Sequence, residues 1–127
     1  MRFLTFICLF SIVLFGCRKE EGFGGLASVS GRVYAYDYDK SGVLQAEGYA
    51  GDIEVYIGAA GKKEILDRIR TSYDGSFELT SLRKGSYEVW IYSSCDACPN
   101  GIEPVIKEFK ISSKKEQVDL GIFEINI

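Results

Sequence analysis

Cys95-Asp96-Ala97-Cys98 sets two redox-active side chains three residues apart. Such a pair can close a short disulfide, cycle as a dithiol, or supply half of a zinc site. A zinc knuckle needs two further Cys or His ligands. The chain has no His, and its other two Cys, Cys8 and Cys17, stand near the N-terminus. A catalytic dithiol wants its first Cys at a helix N-terminus, where the thiolate is stabilised. Here the pair follows an alternating, strand-like run and precedes the turn sequence Pro99-Asn100-Gly101. The pattern favours a loop-pinning Cys95–Cys98 disulfide of modest stabilising effect, because the closed loop is short. A redox pair is the alternative. A second stretch, Asp37-Tyr38-Asp39-Lys40-Ser41-Gly42, places oxygen-bearing side chains at alternate positions, as the first half of a calcium loop does. The twelfth position is Gly48 where a bidentate Glu belongs, and Glu47 falls one short. Asp37, Asp39 and Ser41 are therefore candidate calcium ligands in what reads first as a polar turn, and no metal or other cofactor is expected.

Aromatic side chains are the other chemistry on offer: eight Tyr, eight Phe and a single Trp in 127 residues. Tyr34, Tyr36 and Tyr38 alternate along one stretch, and Tyr56, Trp90 and Tyr92 take the equivalent outward positions of two others. Flat apolar rings with a polar handle suit sugar rings and protein partners alike, so these six form a candidate ligand face. Catalysis has little to work with. Without His the commonest general base is missing, and there is no nucleophile-elbow or Gly-rich phosphate motif. The expectation is a protein that is not an enzyme. A net charge of −3 without a basic stripe argues against nucleic acid as a partner.

The N-terminus reads as an address. Arg2 precedes an apolar run from Phe3 to Phe15, too short to cross a bilayer and laid out like a secretory signal. The run ends Leu14-Phe15-Gly16-Cys17, which resembles a bacterial lipobox with Cys17 as the lipidated residue. Residues 1–16 are then a lipoprotein signal peptide, and residues 17–26 are the lipidated Cys and a tether. A Lys followed by two acids, Lys19-Glu20-Glu21, resembles the export signal of surface lipoproteins in some Gram-negative bacteria. The expected location is the outer membrane, lipid-anchored and facing the cell surface, with the periplasmic face as the alternative.

The elements that must carry these residues are short strands. Val29, Gly31, Val33 and Ala35 alternate with Ser30, Arg32, Tyr34 and Tyr36, so the first strand spans about residues 27–38. Residues 39–51 read as a loop. Ile53, Val55 and Ile57 mark a second strand, and residues 64–70 a third without clean alternation. Asp74-Gly75 is a turn, Phe77 and Leu79 mark a fourth strand, and Tyr87, Val89 and Ile91 a fifth. After an irregular segment, 94–104, come strands at 105–111 and 117–127. In the last strand the apolar parity changes at Gly121, as a β-bulge requires. Seven strands at this spacing imply an all-β, antiparallel Greek-key sandwich over residues 27–127.

The stretch Thr71 to Val89, TSYDGSFELTSLRKGSYEV, resembles the carboxypeptidase regulatory-like domains, relatives of the prealbumin-like and collagen-adhesin B-type sandwiches. Val29-Ser30-Gly31-Arg32-Val33 and Asp52-Ile53-Glu54-Val55-Tyr56 fit the same family pattern. The resemblance implies a β-sandwich and a binding or structural role, since such domains serve as spacers, adhesin modules and transporter appendages. The leading expectation is an interaction or accessory module for an envelope protein such as a nutrient-uptake complex. The alternatives are a carbohydrate-binding domain using the Tyr/Trp face, and a purely structural envelope protein.

Overall fold

A computed structural model describes residues 20–127; the segment expected to be a signal peptide, and Cys17, lie outside the described residues. Eight strands follow in order: β1 Phe23–Tyr38, β2 Leu44–Tyr49, β3 Glu54–Ala59, β4 Asp67–Arg70, β5 Ser76–Leu82, β6 Gly85–Ser94, β7 Ile102–Ile111 and β8 Gln117–Asn126. They form a two-sheet β-sandwich. In sheet A, β1 is flanked on one side by β8 and on the other by β5 and then β2; sheet B has the order β4-β3-β6-β7. The chain crosses between the sheets after β2, β4, β5 and β7.

Alternation builds the core. The inward residues Ala27, Val29, Val33 and Ala35 of β1, Phe77 and Leu79 of β5, and Phe123 and Ile125 of β8 are buried. They meet Val55 and Ile57 of β3, Tyr87, Val89 and Ile91 of β6, and Ile111 of β7. Burial of each large aliphatic or aromatic side chain contributes about 1.5–3 kcal/mol, so two strictly alternating faces suffice to hold the sheets together.

The architecture departs from the sequence expectation in four places. There are eight strands, because β2 lies within the segment read as a loop. All of its residues but Gly48 are exposed, so no burial pattern betrays it. The sandwich is not wholly antiparallel, since β8 runs parallel to β1 from Ser28↔Gln117 to Tyr36↔Asn126. The third expected strand shrinks to Asp67–Arg70, where Ile69 pairs with Val55, while Ile65 lies exposed in the preceding loop. Finally, β1 begins at Phe23, inside the segment assigned to the tether. The bulge at Gly121 is present: Ser30 pairs with Asp119 but Arg32 with Ile122, and Gly121 N–H donates to Asp119 Oδ1 at 2.8 Å.

The turn before β5 locks the two halves of sheet A. Asp74 Oδ1 accepts from Ser76 N–H at 3.0 Å and from its hydroxyl at 2.6 Å. These bonds, the side-chain one first, hold the Asp74 carboxyl below its ordinary value. Gly75 has φ +79°, and its carbonyl accepts from Val33 N–H at 2.8 Å, where β1 passes from β5 to β2. A Cβ there would lie 2.7 Å from the Val33 carbonyl oxygen, so glycine is required on both counts. Thr71, buried, ties the next crossing: its hydroxyl donates to the Ala50 carbonyl at 2.7 Å and accepts from Ile53 N–H at 3.0 Å.

The segment leading into β1 is held by a buried phenol. Tyr87 is fully buried, and its hydroxyl donates to the Arg83 carbonyl at 2.7 Å and accepts from Gly22 N–H at 3.0 Å. Arg83 N–H in turn donates to the Gly22 carbonyl at 2.9 Å. Burial is the main cause that raises the Tyr87 pKa above the ordinary phenol value.

Candidate functional site

The six aromatics do not share one face. Tyr34, Tyr36 and Tyr38 stand on the outer surface of sheet A, and Tyr56, Trp90 and Tyr92 on the outer surface of sheet B. The strand parities expected from the sequence hold, but the two sets belong to different sheets of the sandwich, which turn their outer surfaces away from each other. The single ligand face therefore becomes two separate platforms.

On sheet B, Tyr56 and Trp90 are direct cross-strand partners. Their rings stack at 5.6 Å between centroids and 12° between planes, and Tyr92 meets Tyr56 edge-on at 5.5 Å. Cross-strand aromatic pairs prefer such geometry and stiffen the surface that bears them. Trp90 rests on bare backbone. A Cβ on Gly58 would come within 3.2 Å of the indole and would collide with the Glu64 carbonyl. Polar groups continue the row. Tyr56 hydroxyl donates to Glu54 Oε2 at 2.7 Å, and this bond is the main cause that raises the phenol pKa above 10.0. Arg70 Nη2 donates to Glu54 Oε1 at 3.3 Å, and Nη1 to Asp52 Oδ1 at 3.1 Å. Together Asp52, Glu54, Tyr56, Arg70 and Tyr92 line a shallow depression of about 300 Å³. It offers ring faces beside carboxylate acceptors and guanidinium donors, the combination a polyhydroxylated ring with an apolar face can use.

Sheet A is arranged differently. Tyr34 packs against Tyr36 at 5.2 Å and edge-on to Tyr49 of β2 at 5.1 Å, and Tyr36 stacks on Tyr38 at 6.3 Å. Arg32 lies over the Tyr49 ring at 3.5 Å and donates to the Asp74 carbonyl at 2.9 Å. Tyr36 hydroxyl donates to Glu124 Oε1 at 3.2 Å; partial desolvation first, then Glu124, raises its pKa. The rings thus lean on one another and on Arg32, with Tyr38 and Tyr49 still partly exposed.

The remaining expectations fall out simply. Cys95 and Cys98 form a disulfide that pins the turn before β7. Glu103 Oε2 lies 3.7 Å from Cys98 Sγ, and the donor atoms of Cys95, Cys98 and Glu103 lie within 4.8 Å of one another. With the sulfurs joined, neither thiolate remains for a metal and no sulfur proton remains to donate. In the Asp37–Gly42 loop, Asp39 spends both oxygens on its own turn. Oδ1 accepts from Ser41 and Val43 N–H, each at 2.9 Å, and Oδ2 from Gln45 Nε2 at 2.9 Å. Among the described residues, neither Asp37 nor Asp39 belongs to a cluster of three His, Cys, Asp or Glu side chains close enough to share an ion. Sequence reasoning missed Tyr49, Arg32, Asp52, Glu54 and Arg70. The signal for the last three was their placement on neighbouring strands in register with Tyr56, which depends on the Glu54↔Arg70 pairing.

No protein-family model matches the chain, and no curated protein matches it. Among solved structures, the crystal structure of a "putative carbohydrate binding protein" from Pseudomonas aeruginosa is similar to 81% of this chain and 89% of its own, at 15% identity and a TM-score of 0.48. A likeness of that strength carries no argument for function.

Proposed function

We propose that this chain is a non-enzymatic, lipid-anchored surface domain of the carboxypeptidase regulatory-like type, and that it binds carbohydrate on the outer face of sheet B. The observation that carries the reading is the Tyr56–Trp90–Tyr92 cluster continuous with the Asp52–Arg70–Glu54 row. A pyranose has a C–H face that packs on an aromatic ring and equatorial hydroxyls that need donors and acceptors at its rim. Tyr92, 43% exposed, and Tyr56 supply the ring surface, backed by the half-buried Trp90, and Glu54, Asp52 and Arg70 supply the rim. The lipid on Cys17 keeps this face close to envelope polysaccharide. Affinity electrophoresis of the protein through a panel of soluble polysaccharides tests the reading. Retardation by at least one glycan, lost in Trp90→Ala, is expected; free migration through every gel rejects it.

A second reading is favoured by the sheet A tyrosines, whose own contacts leave Tyr38 and Tyr49 partly exposed at 45% and 41%. Such a ladder fits docking on an envelope protein, such as a nutrient-uptake complex. A photocrosslinker at Tyr38 should then capture one membrane protein, whereas one at Tyr92 should not.

A further inference from the structure

The two ends of the sandwich differ sharply in charge. Strands β1, β6 and β8 start at one end and β3, β5 and β7 finish there, so that end gathers residues 20–25, 59–66, 82–86 and 110–117. It holds seven of the twelve Lys and Arg of residues 20–127 and only four of their eighteen acids, Glu20, Glu21, Glu64 and Glu116. The rest of the domain is left with five basic and fourteen acidic residues. Within the basic end is a pocket of about 550 Å³, floored by Gly24, Gly25 and Leu82 and rimmed by Leu26, Arg83, Lys84 and Lys114. Leu26 is 66% exposed. Among the described residues, Lys62 pairs with Glu20 and Glu21, while Arg83, Lys84 and Lys114 make no ion pair.

This end is also where the anchor leaves. Tyr87 and Arg83 clamp Gly22 to the sandwich, so the free tether is shorter than the sequence implies. Four residues, 18–21, lie between Cys17 and Gly22, a path of five Cα–Cα steps. Fully extended, that length spans about 18 Å. Within such a reach the end that carries the tether cannot turn away from the lipid, and cations lacking partners face whatever the surface presents.

We propose that the basic end of the sandwich is seated on an anionic bilayer, with headgroup phosphates held by Arg83, Lys84 and Lys114 and Leu26 entering the headgroup layer. The inference rests on the lipid-anchor reading above. Phosphate oxygens match the free ammonium and guanidinium donors, and attraction to an anionic surface is confined to about a Debye length, so only this end feels it. A tilt that brought the acidic remainder within that length would be repelled, which stands β1 upright and holds both aromatic platforms clear of the membrane.

The test is hydrogen exchange on the purified lipidated protein in vesicles of phosphatidylcholine alone and of phosphatidylcholine with phosphatidylglycerol. Amides of residues 82–86 and 112–116 should exchange several-fold more slowly in the anionic vesicles. The difference should vanish at high salt and in the Arg83→Glu, Lys84→Glu, Lys114→Glu variant, in which unchanged protection of Val89 and Ile91 confirms the fold. A protein that sediments with both vesicles and exchanges alike in them overturns the seating alone. One that sediments with neither removes the lipid anchor, and the seating with it.

Discussion

On sheet B, Trp90 lies over the bare backbone of Gly58 and its neighbours run on into charged groups that keep open sides. On sheet A, Tyr34 and Tyr36 lean on each other, Tyr49 is capped by Arg32, and Arg32 donates to the Asp74 carbonyl. Both faces pack their rings against one another and leave a ring edge exposed, Tyr38 and Tyr49 on one and Tyr92 on the other; what sets sheet B apart is the Asp52–Arg70–Glu54 row beside its rings. Aromatic content along a strand therefore does not by itself mark a binding face. What marks it is whether the rings' remaining surface and the adjacent polar groups are free to engage a ligand.

The comparison breaks most readily at Trp90. Trp90→Ala should lower glycan affinity at least tenfold, about 1.4 kcal/mol or more, as loss of a central aromatic anchor does. The double variant Tyr34→Ala, Tyr36→Ala should leave that affinity within about twofold, because distant sites with no shared partners act independently. Titration calorimetry on both proteins decides it. Gly58→Ala comes next. Pressing a methyl between Trp90 and the Glu64 carbonyl should cost about 1–3 kcal/mol in urea unfolding and weaken binding as the indole is displaced. Gly48→Ala on β2 is the matched control on sheet A; its Cβ meets nothing within 4 Å, so stability should change little.

A smaller effect separates the phenols by their partners. Tyr56 and Tyr36 both have raised pKa values, Tyr56 chiefly through its hydrogen bond to Glu54 and Tyr36 chiefly through desolvation. Glu54→Gln should therefore lower the titration of Tyr56 and leave that of Tyr36 in place, as followed by ultraviolet absorbance. Because these pKa values are raised on folding, the stability they bring is present below pH 10.0 and is lost as pH rises through the folded values. Asp74 has the opposite sign. Its carboxyl is depressed, so its contribution is present above about pH 3.8 and disappears as pH falls through the lower folded value. Asp74→Ala should remove the part of the acid sensitivity that lies below pH 3.8. Asp74 is exposed and the two phenols are only half-buried, so the changes in unfolding midpoint should be small.

Much of the fold was legible because period-two alternation and burial coincide. Every apolar position read inward on β1, β5 and β6, from Val29 to Ile91, is buried. The Thr71–Val89 stretch was the most informative, and the structure gives each residue its task. Thr71 ties a crossing, Asp74 caps a turn, Gly75 fits under β1, Phe77, Leu79 and Leu82 fill the core, and Tyr87 holds Gly22 ahead of β1. Strand β2 was not legible, because an exposed edge strand needs no apolar pattern to form. The site was legible only residue by residue. Parity showed that Tyr34 and Trp90 point outward, but which sheet each strand joins is decided by long-range pairing that no local pattern encodes. The same limit hid Arg70, which reaches Asp52 and Glu54 only once β4 docks on β3.

The central claim is that sheet B, and not sheet A, binds carbohydrate. Trp90 is the single Trp of the chain and stacks on Tyr56, which lines the proposed site, so its fluorescence reports on that face alone. Titration with the glycans that retard the protein should give a saturable change in Trp90 emission and protection from acrylamide, both lost in Tyr92→Ala and both retained in Tyr34→Ala, Tyr36→Ala. Glycan binding that leaves Trp90 emission and quenching unchanged, or that is lost with the sheet A tyrosines, would contradict the account.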